Sequence, residues 1–287
     1  MRTVHQISEL RRQVATWRGG GERVALVPTM GNLHDGHLEL GRIAGRLADR
    51  SVVSIFVNPT QFGPQEDFQD YPRTLEEDSR KLEQVGVDLL FVPDVAELYP
   101  RGLKELARIS VPGLTQILCG RSRPGHFEGV ALVVVKLLNL VLPDTALFGE
   151  KDRQQLMVIE RVVADLNMPV GIVGVPTVRE PDGLAMSSRN RYLSVEERAI
   201  APNLYRTIAA AAERLWIGER DFLGIAADAQ AALESAGFRN DYFEVRRAED
   251  LAEPKQTDTE FLVLAAAWLG RARLIDNCRV TLPGQDG

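Results

Sequence analysis

Two histidines three positions apart, His34 and His37, have the residue type and spacing to do chemistry on a phosphate ester. They are the first and last residues of a His-Asp-Gly-His turn, which follows the apolar run 24–27 and precedes a helix-like apolar pattern starting at Leu38. A helix N-terminus offers unpaired backbone N–H groups and a positive dipole end, and two imidazoles add further donors. The turn therefore suits a nucleoside triphosphate. The alternatives are a structural histidine pair and a zinc site, but no third ligand lies nearby at zinc spacing.

Two other segments carry polar groups directly after apolar runs. Asn58 and Gln61 are carboxamides, which both donate and accept hydrogen bonds and suit a substrate with hydroxyl and carboxylate oxygens. Gly149 permits close backbone approach, and Lys151 supplies a point charge able to reach a phosphate. Each segment also has a simpler interpretation, since Asn-Pro favours turns and Asp152 could be a helix N-cap.

A fourth segment, at residues 186–190, combines small hydroxyl residues with an arginine. Ser187 and Ser188 lie in a turn that exposes backbone N–H groups, and the guanidinium fork of Arg189 can hold two phosphate oxygens. An ordinary turn before the next helix is the alternative. The presence of this segment and the His-Asp-Gly-His turn in the same chain favours a phosphate-binding role.

The elements that must position these groups alternate between strand and helix patterns. Short apolar runs occur at residues 24–27, 52–57, 89–92, 146–148 and 170–175, with helical periodicity between them. This alternation predicts an α/β fold, a Rossmann-like parallel sheet covered on both faces. Because such sheets bind ligands at the carboxyl ends of their strands, the four segments should meet at one edge.

The pattern changes after residue 176, where an alanine-rich stretch at 195–236 precedes strand-like runs at 242–245, 261–266 and 272–275. We predict a Rossmann-like nucleotide-binding domain at 1–176 and a smaller C-terminal α+β domain at 177–283. Residues 284–287 are expected to be a disordered tail.

Composition limits the class of protein. The chain has 287 residues, 45% of them hydrophobic, which is enough for a full core, and its net charge of -6 disfavours a general nucleic-acid binder. Cys119 and Cys278 form no Cys-x-x-Cys motif, so a reducing cytoplasm is expected. The arginine-rich start suggests a transit peptide, but Glu9 and the direct run into a strand favour an amphipathic helix. The apolar stretch 130–142 contains Lys136 and predicts a buried helix rather than a membrane span.

Taken together, the motifs resemble those of a known enzyme family. The histidine and Ser-Ser-Arg segments are similar to the HIGH and KMSKS-type signatures of the nucleotidylyltransferase superfamily. The ordered set resembles the pantoate–β-alanine ligase family over nearly the whole chain, in segments 27–37, 54–62, 71–74, 123–127, 148–152, 183–190 and 265–270.

This resemblance implies an activity. The family uses ATP to condense (R)-pantoate with β-alanine into pantothenate for coenzyme A biosynthesis, through a pantoyl adenylate, with release of pyrophosphate and AMP. It also implies Mg2+, a homodimer, and a C-terminal domain that acts as a lid.

The resemblance further implies roles for individual residues. Catalytic roles fall to His34, His37, Lys151 and Arg189, with His37 the proton donor. Pantoate would be held by Gln61 and Gln155, with Asn58 as an accessory. Asp78 is the expected partner of Mg2+, either directly or through water. The ATP-binding residues would be Met30, Gly31, Asn32, Leu33, His34, Asp35, Gly36, His37, Gly149, Glu150, Lys151, Asp152, Val178, Met186, Ser187, Ser188 and Arg189.

Some assignments stay open. Arg123 and His126 could reach substrate or phosphate, although His126 could equally cap or pack beside Phe127. Arg153 departs from the family pattern, which commonly has an aromatic residue there. A nucleotidyl transferase acting on a phosphate ester would keep the histidine and Ser-Arg motifs without requiring Gln61 and Gln155. A binding-only protein of the same fold is the other alternative.

Overall fold

The computed structural model describes residues 1–64, 66 and 68–282, and the chain forms two compact units. The first unit comprises Met1–Glu150 and Gln155–Pro176, and the second comprises Lys151–Gln154 and the chain from Thr177 onward. The tail predicted at 284–287 lies outside the described residues.

The first unit contains a parallel six-stranded sheet with helices between its strands. Its strands are β1 (Arg2–Val4), β2 (Val24–Thr29), β3 (Arg50–Ile55), β4 (Leu89–Phe91), β5 (Thr145–Gly149) and β6 (Gly171–Val175). Its helices are α1 (Ile7–Gly19), α2 (Asp35–Leu47), α3 (Leu75–Gln84), α4 (Val95–Leu98), α5 (Cys119–Ser122), α6 (His126–Val141) and α7 (Arg153–Asp165), the last beginning in the second unit. The predicted α/β class is confirmed, and the buried helix predicted at 130–142 is α6.

Alternation along β2 explains why helices cover both faces of this sheet. Val24 and Leu26 pack into a core cluster that includes residues of α1, α6 and α7. Ala25 and Val27 pack into a second cluster that includes residues of α2 and α3. Because successive side chains of a strand point to opposite faces, an uninterrupted apolar run requires two covered faces.

The order of the strands locates the ligand-binding edge. The sheet runs β1-β4-β3-β2-β5-β6, with every neighbouring pair parallel. The chain moves outward from β2 to β3 and β4, and later places β5 on the other side of β2. Open α/β sheets bind ligands outside the carboxyl ends of their strands at such a reversal. The His-Asp-Gly-His turn leaves β2 at this point, and the Asn58–Gln61 segment leaves β3 at the same edge.

The N-terminal prediction needs a correction. Residues 2–4 form β1, which pairs with β4 at the edge of the sheet, and the helix begins only at Ile7. A three-residue strand is too short to show a periodicity of its own, so its pairing with β4 decides the structure. None of the described helices is both long and apolar enough to cross a membrane.

The second unit is a three-stranded antiparallel sheet packed against helices. Its helices are α8 (Val195–Ile200), α9 (Asn203–Trp216) and α10 (Phe222–Ser235), and its strands are β7 (Arg239–Arg247), β8 (Glu260–Leu269) and β9 (Ala272–Thr281), in the order β7-β8-β9. Phe243, Phe261 and Leu274 lie in one cluster with Leu204 and Leu215 of α9. This is the small α+β arrangement predicted for the C-terminal part of the chain.

Candidate active site

The turn between β2 and α2 has an unusual backbone conformation. Gly31 and Asn32 are both left-handed, with φ of 83° and 52°. A Cβ atom at position 31 would lie 3.0 Å from Cγ2 of Ile55 and 3.2 Å from Oδ2 of Asp78. The backbone angle and the close neighbours at 31 therefore both favour glycine. The two left-handed residues reverse the chain and direct the N–H groups of residues 32 and 33 inward.

Those two N–H groups are bound by Asp78 of α3. Its Oδ2 accepts from the N–H of Asn32 at 2.8 Å, and its Oδ1 accepts from the N–H of Leu33 at 2.8 Å. The hydroxyl of Thr74 donates to Oδ2 at 3.1 Å, and Asp78 is only 1% exposed. A carboxylate enclosed in this way does not fit a direct Mg2+ ligand. The described residues also contain no cluster of three His, Cys, Asp or Glu side chains that could hold a metal ion.

The two histidines lie together at the start of α2. Their ring centroids are 4.1 Å apart, and the N–H of His34 donates to Nδ1 of His37 at 3.4 Å. Because Nδ1 of His37 is an acceptor, the neutral ring carries its proton on Nε2. The carbonyl of His34 accepts from the N–H groups of His37 and Leu38. Asp35 and Gly36 occupy the first two helical positions, where backbone N–H groups have no intrahelical acceptor.

Gln61 is a candidate substrate residue that contacts Met30, directly before this turn. It lies in the 3-10 helix Pro59–Gln61 and is 8% exposed. Its Oε1 accepts from Nδ2 of Asn58 at 3.0 Å, and its Nε2 donates to Sδ of Met30 at 3.0 Å. The contact with Met30 brings the predicted ATP turn and the predicted pantoate loop together.

Asn58 is fully occupied in holding this loop. Its Nδ2 also donates to the carbonyl of Gly129, and its Oδ1 accepts from the backbone and hydroxyl of Thr60. The Tyr99 hydroxyl donates to the same oxygen at 3.0 Å. Burial raises the pKa of Tyr99, and a hydrogen bond with Thr60 partly opposes that shift. The contacts of Asn58 therefore determine the orientation of Gln61.

Arg123 and His126 support the same loop from its other side. Nδ1 of His126 lies 2.8 Å from the carbonyl of Gln61 and must donate to it, so Nε2 accepts from Arg123 at 3.0 Å. Arg123 also forms a bidentate ion pair with Glu66, at 2.8 and 2.5 Å. Both residues thus contact the backbone of Gln61, since Arg123 reaches the same carbonyl at 3.4 Å.

Lys151 belongs to the second unit. Its ammonium is 3.6 Å from Oδ2 of Asp152, and its side chain is 18% exposed. Its backbone carbonyl accepts from Nδ2 of Asn277 on β9 at 2.9 Å. This contact joins the lysine turn to the middle of β9, an edge strand of the small sheet.

A hairpin-like segment positions the Ser-Ser-Arg motif in the second unit. The carbonyl of Val178 accepts from the N–H of Met186 at 3.0 Å, and Arg179 bridges to Ala185. Ser187 then caps the 3-10 helix Ser188–Tyr192, its hydroxyl accepting from the N–H of Arg189 at 3.2 Å. The backbone of Val178 therefore takes part in folding the motif.

Arg179 fixes this segment to β9. It forms a bidentate ion pair with Asp276 at 2.5 and 3.0 Å, and the Asp276 side chain is 2% exposed. The guanidinium also lies 3.5 Å from the ring centroid of Tyr205 and donates to the carbonyl of Gly183. Because Asp276 and Asn277 are adjacent, one short stretch of β9 holds both the Arg179 segment and the Lys151 turn.

Comparisons with known proteins decide the family. The family model described as pantoate-beta-alanine ligase matches residues 2–279. The chain belongs to this family. It is 57% identical over 285 residues to the pantothenate synthetase of Pseudomonas entomophila (strain L48), with 99% of each chain covered.

Solved structures of the family agree with this membership. The crystal structure of pantothenate synthetase from Thermus thermophilus has a TM-score of 0.90 at 46% identity, covering 97% of this chain and 99% of that one. The pantoate-beta-alanine ligase from Francisella tularensis, complexed with beta-gamma ATP and beta-alanine, has a TM-score of 0.81 at 34% identity, covering 97% of each chain. The resemblance to the ligase family found in the motifs is thereby confirmed.

The structure adds residues to the family motifs that sequence reasoning missed. Gly129, Asp276 and Asn277 each hold a predicted site segment. Asp78 is named by the family resemblance, but as a partner of Mg2+ and not as the residue that holds the turn. A glycine inside an apolar helix pattern and an aspartate on the apolar face of a strand were detectable signals. Asn277 carries no such signal. Gln155, the third residue of α7, is half-buried in the first unit, and its predicted contact with pantoate stays a prediction.

Proposed function

We propose that this protein condenses (R)-pantoate with β-alanine to give pantothenate, with conversion of ATP to AMP and pyrophosphate through a pantoyl adenylate. The observation that carries the proposal is the 3.0 Å contact between Gln61 and Met30, which joins a carboxamide loop to a phosphate-binding turn. The family membership supports the substrates, and the Francisella tularensis ligase is a relative complexed with beta-gamma ATP and beta-alanine.

In the first half-reaction, a carboxylate oxygen of pantoate attacks the α-phosphorus of ATP. The bond from that phosphorus to the bridging oxygen breaks, and negative charge develops on the departing pyrophosphate. The N–H groups of Asp35 and Gly36 and the Nε2–H of His37 are donors suited to that charge, and His34 lies beside them. We assign Lys151 and Arg189 to the same phosphates as fixed positive charges.

In the second half-reaction, the amine of β-alanine attacks the acyl carbon of the adenylate. A C–N bond forms, the C–O bond to AMP breaks, and the amine releases one proton. Because AMP leaves with the oxygen that pantoate supplied, the carbonyl of pantothenate retains the other carboxylate oxygen. These two half-reactions together consume ATP and yield an amide.

Pantoate recognition falls to Gln61 and Gln155. A thioether is a weak acceptor, so a substrate oxygen can replace Sδ of Met30 as the partner of Gln61 Nε2 with little loss. The other carboxamide oxygen stays with Asn58, which keeps the Nε2 group pointed in one direction. We therefore assign Asn58 the orientation of Gln61.

The remaining roles are proposed from the family resemblance. Residues 30–37, 149–152, 178 and 186–189 bind ATP, residues 1–176 carry the pantoate groups, and residues 177–283 act as a lid. Mg2+, when bound together with ATP, would supply further positive charge against the developing negative charge, and Asp78 would not be a direct ligand. The enzyme works in the cytoplasm as a homodimer.

The test is the substrate requirement of each half-reaction. We expect pyrophosphate to form from ATP with pantoate alone, and steady AMP release only after β-alanine is added. Mass spectrometry of the product should give pantothenate. AMP transfer to a phosphate ester, or pyrophosphate release that does not depend on pantoate, would show that the enzyme is a different nucleotidyl transferase. Gln61→Ala should raise the pantoate concentration needed for half-maximal rate, and unchanged saturation would count against its role.

A further inference from the structure

We propose that Asp78, together with Lys81, is a positioning residue that holds the phosphate-binding turn in its active conformation. The inference rests on the proposed function, because the turn is assigned there to the ATP phosphates. In this proposal the buried carboxylate of Asp78 binds backbone N–H groups of the turn and does not bind Mg2+.

Helix α3 contacts the turn through one side chain that accepts hydrogen bonds and one that donates them. Asp78 accepts from the N–H groups of Asn32 and Leu33, and the ammonium of Lys81 donates to the carbonyl of Leu33 at 2.7 Å. Lys81 also pairs with Glu77 one helical turn earlier, at 2.8 Å. The backbone of Leu33 is thus held at its N–H and its carbonyl by residues three positions apart on one helix face.

The turn needs this support because its conformation is not one the chain adopts readily. Asn32 is left-handed without being glycine and directly follows left-handed Gly31. Such residues persist only when the surroundings hold them. The next residues place His34, His37 and the first N–H groups of α2, so a shift at 32 moves the phosphate donors that this turn is proposed to supply.

The buried carboxylate is well matched to backbone donors. Burying a charge is unfavourable unless hydrogen bonds replace its water, and here two N–H groups and the Thr74 hydroxyl do so. The first-turn position of Asp78 in α3 adds the favourable helix dipole. An asparagine of the same shape would turn one acceptor into an NH2 group facing a backbone N–H.

The experiment compares Asp78→Asn with Glu76→Gln in the intact enzyme. Glu76 is an exposed acid in the same helix turn, so the control makes the same charge change without touching the turn. We expect Asp78→Asn to lower the kcat of pantoate-dependent pyrophosphate release by about 10²-fold, the loss typical of a misplacement near 1 Å. The KM for pantoate and the Mg2+ concentration giving half-maximal rate should not change, and Glu76→Gln should match the wild type.

Amide exchange gives a readout that does not depend on activity. The N–H groups of Asn32 and Leu33 should exchange with deuterium faster in Asp78→Asn than in the wild type or in Glu76→Gln. A raised Mg2+ requirement, with the rate restored at high Mg2+, would instead identify Asp78 as a metal ligand and overturn the proposal. Unchanged exchange and an unchanged kcat would overturn it as well.

Lys81→Met keeps the proposal testable if Asp78→Asn fails to fold. Lys81 is only partly buried, and its loss removes one charged hydrogen bond, so we expect about a tenfold lower kcat at unchanged pantoate KM. A wild-type rate for Lys81→Met would contradict its role. If the wild-type enzyme itself released no pyrophosphate with pantoate, the proposed function would fail, whereas the exchange measurement would still test the contact of Asp78 with the turn.

Discussion

Replacing Gly129 with alanine should displace residues 58–61, the loop that we propose binds pantoate, because helix α6 approaches the backbone of that loop closely at this glycine. A Cβ atom at position 129 would lie 2.3 Å from the carbonyl oxygen of Thr60 and 2.7 Å from the N atom of Gln61. An ordinary C···O contact is about 3.3 Å, so the loop must retreat by about 1 Å. Displacements of that size near a reacting centre lower rates by about 10²-fold.

The effect on folding should be smaller than the effect on activity. Overpacking a core site lowers the free energy of unfolding by about 1–3 kcal/mol. The better helix propensity of alanine returns up to about 1 kcal/mol of that. We therefore expect a net loss of about 0–2 kcal/mol in urea unfolding and an intact far-ultraviolet circular dichroism spectrum.

The assay is pyrophosphate release as a function of pantoate concentration at saturating ATP. Gly129→Ala should lower kcat/KM for pantoate by about 10²-fold and leave the half-saturating ATP concentration unchanged. Gly45→Ala is the matched control, because a Cβ atom at that exposed position of α2 would meet nothing within 4 Å. The control should show wild-type kinetics and gain about 0.5–1 kcal/mol in unfolding free energy. Wild-type pantoate kinetics in Gly129→Ala would refute the reasoning.

Further predictions concern catalysis, the second unit and pH. His37→Ala and Lys151→Ala should each lower pyrophosphate release by about 10²–10³-fold without altering the circular dichroism spectrum, and near-normal release from either would remove it from the mechanism. Asp276→Asn should lower the free energy of unfolding in urea by about 3–5 kcal/mol, because it breaks a buried bidentate pair, whereas combining Asp276→Leu with Arg179→Met should recover most of that loss. A small loss in Asp276→Asn alone would mean that the pair contributes little. Burial raises the pKa of Tyr99, so the native state favours the neutral phenol over the phenolate. The contribution of Tyr99 to the free energy of unfolding is therefore lost as pH rises from about 10, the pKa of an unfolded tyrosine, through the higher pKa of the native state. Tyr99→Phe should lack that alkaline loss in urea unfolding, and an identical loss in the variant would exclude Tyr99 as its source.

The sequence predicted the architecture because its signals are local. Residues 24–27 are apolar without interruption, as a strand buried on both faces must be, and they lie inside β2. β1 gave no such signal, because three residues cannot establish a period, and its pairing with the distant β4 was not readable from the chain.

The site was predicted less completely because one residue type can bind several kinds of partner. The family resemblance predicts Asp78 as a partner of Mg2+, yet its oxygens bind backbone N–H groups 45 and 46 positions away. Nothing in the residue type distinguishes these partners. For His126 the sequence allows either substrate contact or packing, and in the structure its Nδ1 contacts the carbonyl of Gln61. Long-range backbone contacts of this kind become visible only when the chain is folded.

The hydrogen bonds of the turn explain why its histidines are spaced as they are. Within described residues 31–38, the N–H groups of 32 and 33 bind Asp78, that of Gly31 binds the Thr29 hydroxyl, and those of 34, 37 and 38 bind the histidine pair. The N–H groups of Asp35 and Gly36 are the ones that we propose bind an anion, because the first helical positions have no intrahelical acceptor. His34 and His37 flank these two donors, and the glycine at 36 has no side chain that would obstruct the proposed phosphate. The spacing therefore follows from where α2 leaves its donors, so inserting one residue between the histidines should abolish adenylation even with both imidazoles retained.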